Sequence, residues 1–149
     1  MAQTTEAMSM KNCKLEWSTN GSSWSDASGV ANAVTPDGGE RDSEGTPTFS
    51  GDKRILTTGK RGLMTITAKA VYTENPADLV VAAQSAYDND TDFYLRWSPK
   101  GGSSTNKMYT SDAGRIKKPP FPGGEVGSAA AILSEIVLET PGVTVSTVA

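Results

Sequence analysis

The chain is 149 residues long, enough for one domain with a real core. Apolar residues make up 36%, and 15 glycines and 8 prolines give a turn-rich composition that favours strands over helices. The formal net charge of −3 excludes the basic footprint of a nucleic-acid binder.

The sequence contains no histidine and one cysteine, Cys13. That removes Ser-His-Asp and Cys-His nucleophile systems, an intrachain disulfide and a zinc site. No phosphate-cradling glycine motif occurs. We therefore expect no catalysis, no metal and no cofactor. Residues 1–10 hold no basic-plus-apolar leader, and no apolar run is long enough to span a bilayer, so synthesis in a cytoplasm is expected.

In chain order, residues 1–11 show no periodicity and read as a flexible N-terminal arm ahead of a single domain, 12–149. The stretch 12–18 alternates, with Cys13, Leu15 and Trp17 on one face and Lys14 and Glu16 on the other, as a half-buried strand does. Asn20-Gly21 follows as a type I′ hairpin signal, and Trp24 opens a short return strand. Residues 36–54 form a polar tract rich in Gly and Pro, expected to be a long loop that orders only on assembly. The next strand, 62–72, places Met64 and Ile66 on one face and Thr65, Thr67 and Lys69 on the other.

A helix is expected over 76–88, with Asn75 as cap, Pro76 in the first turn and Leu79, Ala83, Ala86 and Tyr87 as its apolar stripe. Strand 92–98 points Phe93, Leu95 and Trp97 inward. Two short strands are expected in 106–118. Strand 131–140 puts Ile132, Ile136 and Leu138 on one face and Glu135 and Glu139 on the other. Pro141-Gly142 then turns the chain into a closing strand. The fold class is thus mainly β: two packed antiparallel sheets, a β-sandwich or barrel, with one flanking α-helix and a long loop.

One pattern occurs twice. "LEWSTNGSS" at 15–23 and "LRWSPKGGS" at 95–103 both read Leu-x-Trp-Ser-x-x-Gly-x-Ser. Their flanks do not match, so they read as two core tryptophans at two strand ends followed by turn chemistry rather than as a duplicated site.

The element order, together with "DFYLRWSPKGG", "FPGGEVGS" and "LETPGV", resembles a major tail protein, the tail-tube subunit of long non-contractile phage tails. The resemblance covers about residues 12–147. It implies a tail-tube-like β-sandwich, homo-hexameric rings that stack into a tube, and a place in the virion tail. It also implies a tape-measure protein in the lumen during assembly, contact with tail terminator and tail tip proteins, and passage of DNA without specific binding. Two alternatives stand beside it: a related virion component (terminator or decoration protein), and a β-sandwich carbohydrate-binding module that stacks sugar on Trp17, Trp24 or Trp97.

Candidate subunit-interface residues follow from charge. Asp37, Glu40, Asp42 and Glu44 precede Lys53, Arg54, Lys60 and Arg61, so the loop and its flanks are electrically bipolar. A head-to-tail polymer can pair such patches between copies. The competing reading is a solvated charged loop. Thr65, Thr67, Lys69, Glu135 and Glu139 lie opposite the core faces of the two long strands, so they meet solvent, a neighbour or the lumen; they are the possible lumen-facing residues, with Glu135 and Glu139 on the outer wall as the competing reading. Such a lining should be polar, with negative or balanced charge, so that DNA is not held by phosphate contacts.

Overall fold

The computed structural model of the chain describes residues 2–149. Two principal sheets and a two-stranded ribbon carry one α-helix, and a single 3₁₀ turn at Met10–Asn12, at the end of the expected arm, leads into the first strand. The first sheet has the order β11-β8-β7-β1-β2, built from Val143–Thr147, Lys107–Ser111, Tyr94–Ser98, Lys14–Ser18 and Ser25–Asp26. The second has the order β3-β6-β10-β9, built from Ala31–Gly38, Met64–Val71, Leu133–Thr140 and Arg115–Ile116. The ribbon pairs β4 (Arg41–Thr46) with β5 (Ile55–Arg61), and every neighbouring pair of strands in the fold is antiparallel. Helix α1 spans Leu79–Asn89.

The two sheets bury their inner faces against each other and against α1. Ile66, Ala68 and Ala70 on β6 lie opposite Leu138, Ile136 and Ser134 on β10, and all six are buried. From the first sheet come Leu15, Leu95, Trp97 and the neighbouring Phe93. Helix α1 contributes Leu79, Val80, Ala83 and Ala86. Fully burying one of the larger aliphatic or aromatic chains contributes roughly 1.5–3 kcal/mol.

The repeated pattern finds its explanation here. Strands β1 and β7 are neighbours, with Leu15 opposite Trp97, Trp17 opposite Leu95, and Glu16 opposite Arg96. The two copies meet as one antiparallel pair in which each large aromatic faces a leucine. Glu16, though buried, keeps its charge satisfied: Arg96 Nη2 donates to it at 2.8 Å and Lys14 Nζ lies at 3.6 Å.

Several expectations are corrected. Trp17 and Met64 are half-buried rather than core, although Trp17 stacks on Phe93 with ring centroids 5.8 Å apart. Tyr87 is 40% exposed and Ile132 48% exposed, and Val80 takes the place of Tyr87 in the helix stripe. The helix starts three residues later than expected, with Asp78 at its cap; the Asn75 carboxamide accepts instead from the Ala77 amide, inside the preceding turn.

The Asn20-Gly21 connection is not type I′, which needs positive φ at both central residues. Only Gly21 has it, at 76°. The Asn20 side-chain oxygen accepts from the amides of Ser22 and Ser23, and Ser18 Oγ accepts from those of Asn20 and Gly21. Side chains thus organise a longer turn.

Candidate subunit interface

The tract 36–54 is not one loop. β3 runs to Gly38, β4 takes 41–46, and only 39–40 and 47–54 lie outside the strands. Strands β3, β4, β5 and β6 form one long hairpin from 31 to 71, since the ladder crosses the gap between sheet and ribbon. The Gly39 amide donates to Leu63 O at 3.1 Å, and the Gly62 amide to Glu40 O at 2.7 Å.

Glycine is required at this joint. Gly38 and Gly39 have φ of 84° and 78°, and a Cβ on Gly38 would stand 2.6 Å from the Leu63 carbonyl oxygen. A left-handed backbone with no room for a side chain turns the ribbon out of the sheet.

Beyond the joint the ribbon has no core. All residues of β5 are exposed, as are those of β4 except half-buried Gly45. Its end carries large apolar side chains into solvent: Phe49 is fully exposed, Leu56 is 69% exposed and Ile55 56%. Leu63 at the joint is exposed as well. An isolated two-stranded hairpin is marginal in water. These were the residues that sequence reasoning missed. For Ile55 and Leu56 the signal was "ILTTGKR", a run rich in β-branched residues between two polar stretches; nothing local marked Phe49 or Leu63.

All eight predicted interface charges belong to this hairpin. Asp37 is on β3, Glu40 at the joint, Asp42 and Glu44 on β4, Lys53 and Arg54 at the tip, and Lys60 and Arg61 on β5. From 37 to 61 the segment holds five acids and five bases, counting Arg41 and Asp52. Folding places the two halves of the tract side by side, so the separation of charge seen along the sequence becomes a contrast between strands and faces. Glu44 pairs in register with Thr57, on the Ile55 face, and Asp42 packs beside Gly59; Arg54 lies over Gly45, on the Leu56 face. Among the described residues none of these charges forms an ion pair within the chain.

The five predicted lumen residues also come together. Register places them on the outer face of the second sheet in cross-strand rows: Asp37, Thr65, Glu139 and Arg115; Thr35, Thr67 and Val137; Ala33, Lys69 and Glu135. Thr65 and Thr67 are half-buried and Lys69 is exposed. Lys118 pairs with Glu135 at 3.1 Å and Lys117 with Glu139 at 3.4 Å. Arg115 meets Asp90 and Asp92, each at 3.1 Å. The face is polar, of mixed sign, and its acids are largely matched by neighbouring bases.

Each tryptophan has an aromatic or cationic partner within the chain. Trp97 is buried and stacked on Tyr109 at 5.6 Å, Trp17 is stacked on Phe93, and the Arg96 guanidinium covers Trp24 at 4.2 Å. Among the described residues there is no cluster of metal-ligating side chains, and no helix is long and apolar enough to cross a membrane.

No family model matches the sequence, and no curated protein matches it. Solved structures do share its fold. The tail of an empty gene transfer agent (GTA) particle with C6 symmetry matches with a TM-score of 0.69 at 12% identity, over 96% of this chain and 100% of the other. The tube-terminating cap of the anti-feeding prophage matches with a TM-score of 0.66 at 12% identity, over 99% and 95%. The sheath-tube complex of an extracellular contractile injection system, in the extended state, matches with a TM-score of 0.67 at 12% identity, over 97% and 94%. The fold is therefore tail-tube-like. Because these neighbours include a contractile system and a cap, the likeness does not single out a long non-contractile tail.

Proposed function

We propose that the chain is a structural subunit of a phage-like tail tube, and that it assembles with itself through the 31–71 hairpin. The observation that carries this reading is the hairpin's division of labour. Its inner half is a sheet with a polar outer face, and its outer half is a ribbon with no burial of its own. Fixing a residue costs about 1–2 kcal/mol of backbone entropy, which the ribbon's apolar end recovers only against another subunit.

The second sheet is built to be extended sideways. At one edge β3 pairs only with β6; at the other β10 is covered in part, by β9 at two residues, by the Lys117 amide at Val137 O and by a single bridge from Gly123 to Leu133. An open edge is a template for a strand of a neighbouring copy. Six copies joined in this way make a closed barrel whose wall carries Thr65, Thr67, Lys69, Glu135 and Glu139. Such a lining holds no stripe of unpaired cations to grip phosphates, which suits a conduit for DNA. The GTA tail's C6 symmetry supports the six-fold count. The same lumen would hold the tape-measure protein before DNA, and the tube would end on terminator and tip proteins. In this reading the protein resides in the virion tail and does no catalysis.

The cap of the anti-feeding prophage favours one second reading, a terminator that stops at a single ring. Negative-stain microscopy and sedimentation of the purified chain separate the two. Tubes of stacked rings support the tube subunit, single rings support the terminator, and a monomer at every concentration rejects both.

A further inference from the structure

An apolar groove of about 410 Å³ opens where the ribbon leaves the domain. Its walls include Pro36, Met64, Trp97, Tyr109, Val143 and Val145, and no charged side chain lines it. Val145, on the edge strand β11, is 56% exposed. Beside it a second cleft shares Met64 and Val143 and brings in Asp112 and Arg61.

The same chain carries an apolar surface of matching kind at the ribbon tip: Phe49, Ile55 and Leu56. That tip cannot reach its own groove. Pro36 and Met64 stand at the base of the ribbon, and six residues of β4 at about 3.4 Å each hold the tip roughly 20 Å away. The occupant is therefore a second copy, in the head-to-tail arrangement that a knob and a hole on different parts of one surface generate. Charge agrees with it. The tip carries Asp52, Lys53 and Arg54, and the adjoining cleft Arg61 and Asp112, none of them in an ion pair among the described residues. Each sign on the knob therefore has an opposite sign available at the rim.

We propose that the ribbon tip of one copy, led by Phe49, seats in the Trp97–Val145 groove of the next, and that this contact is the joint of the polymer. The proposal rests on the tail-tube reading and specifies where its ribbon docks.

Two variants test it, both at exposed positions: Phe49→Asp spoils the knob and Val145→Asp spoils the groove. Circular dichroism checks that each keeps the wild-type fold. At a concentration where the wild type is polymeric by sedimentation, each variant alone should show at least a tenfold loss of polymer. Mixed one to one, they should form a discrete short species, because one intact knob and one intact groove remain per pair. If Val145→Asp polymerises like the wild type while excision of the ribbon blocks tubes, the groove assignment is wrong and the tube reading stands. A mixture that associates no more than either variant alone also overturns the groove assignment. If the wild type stays monomeric throughout, both ideas fall.

Discussion

Excising the ribbon should separate folding from assembly. Ser43 and Thr58 are register partners, so residues 44–57 can be replaced by a two-residue Asn-Gly turn that closes the ladder where it stands. The segment removed contributes nothing to the hydrophobic core, and only Gly45 in it is even half-buried. Changes at such exposed positions stay within about 0.5 kcal/mol. Shortening the connection between β3 and β6 from 25 residues to 13 is about one halving, which changes the closure entropy by about 0.6 kcal/mol in the stabilising direction. The two effects together keep the stability of the monomeric domain within about 1 kcal/mol of wild type. With a urea slope of about 1–3 kcal/mol/M, the unfolding midpoint moves by less than about 1 M. The assay is urea denaturation at a concentration where both proteins are monomers, followed by microscopy at high concentration. The shortened chain should melt like the wild type and form no tubes. A loss above about 2 kcal/mol would show that the ribbon supports its own domain, and tubes of normal length would show that it is not the joint.

Phe93 is fully buried and stacked on Trp17, so Phe93→Ala should destabilise the domain by about 3–5 kcal/mol in urea. Gly38→Ala must place a Cβ against the Leu63 carbonyl at a left-handed backbone, a conformation that alone costs about 1–2 kcal/mol; hydrogen exchange at the Gly39 and Gly62 amides should quicken while that of the β1–β7 pair is unchanged. Burial raises the Cys13 thiol above its ordinary pKa by disfavouring the thiolate, so at pH 8 it should alkylate more slowly than the same cysteine in urea-unfolded chain, with the difference narrowing as pH rises above the ordinary thiol range. Equal rates at pH 8 would contradict that burial.

Most strands with a full face on the core were legible; β3, which brings only Ala31 and Val34 to it, was not. Leu15, Ile66, Phe93, Leu95, Trp97, Ile136 and Leu138 all announced themselves by alternation, and all are buried. The helix was legible from its own spacing, but its stripe was misread at one position: Val80 is buried with Leu79, Ala83 and Ala86, while Tyr87, in the last turn, is exposed. The ribbon was not legible as strand. Both of its faces meet solvent, so it shows no alternation, and "RDSEGT" has the composition of a loop. The eight interface charges could be named from the sequence, but not their arrangement, since folding β4 onto β5 interleaves what the sequence separates. The outer face of the second sheet was legible as the complement of the core pattern. The groove was not, because Pro36, Trp97 and Val145 come from three distant segments and nothing local marks them.

The most direct test of the central claim is a cryo-electron microscopy reconstruction of the assembled protein. The account predicts stacked six-fold rings whose lumen wall carries Thr65, Thr67, Lys69, Glu135 and Glu139, with each ribbon packed against another copy. A reconstruction with that sheet face turned to the exterior, or with ribbons free in solvent, would contradict it.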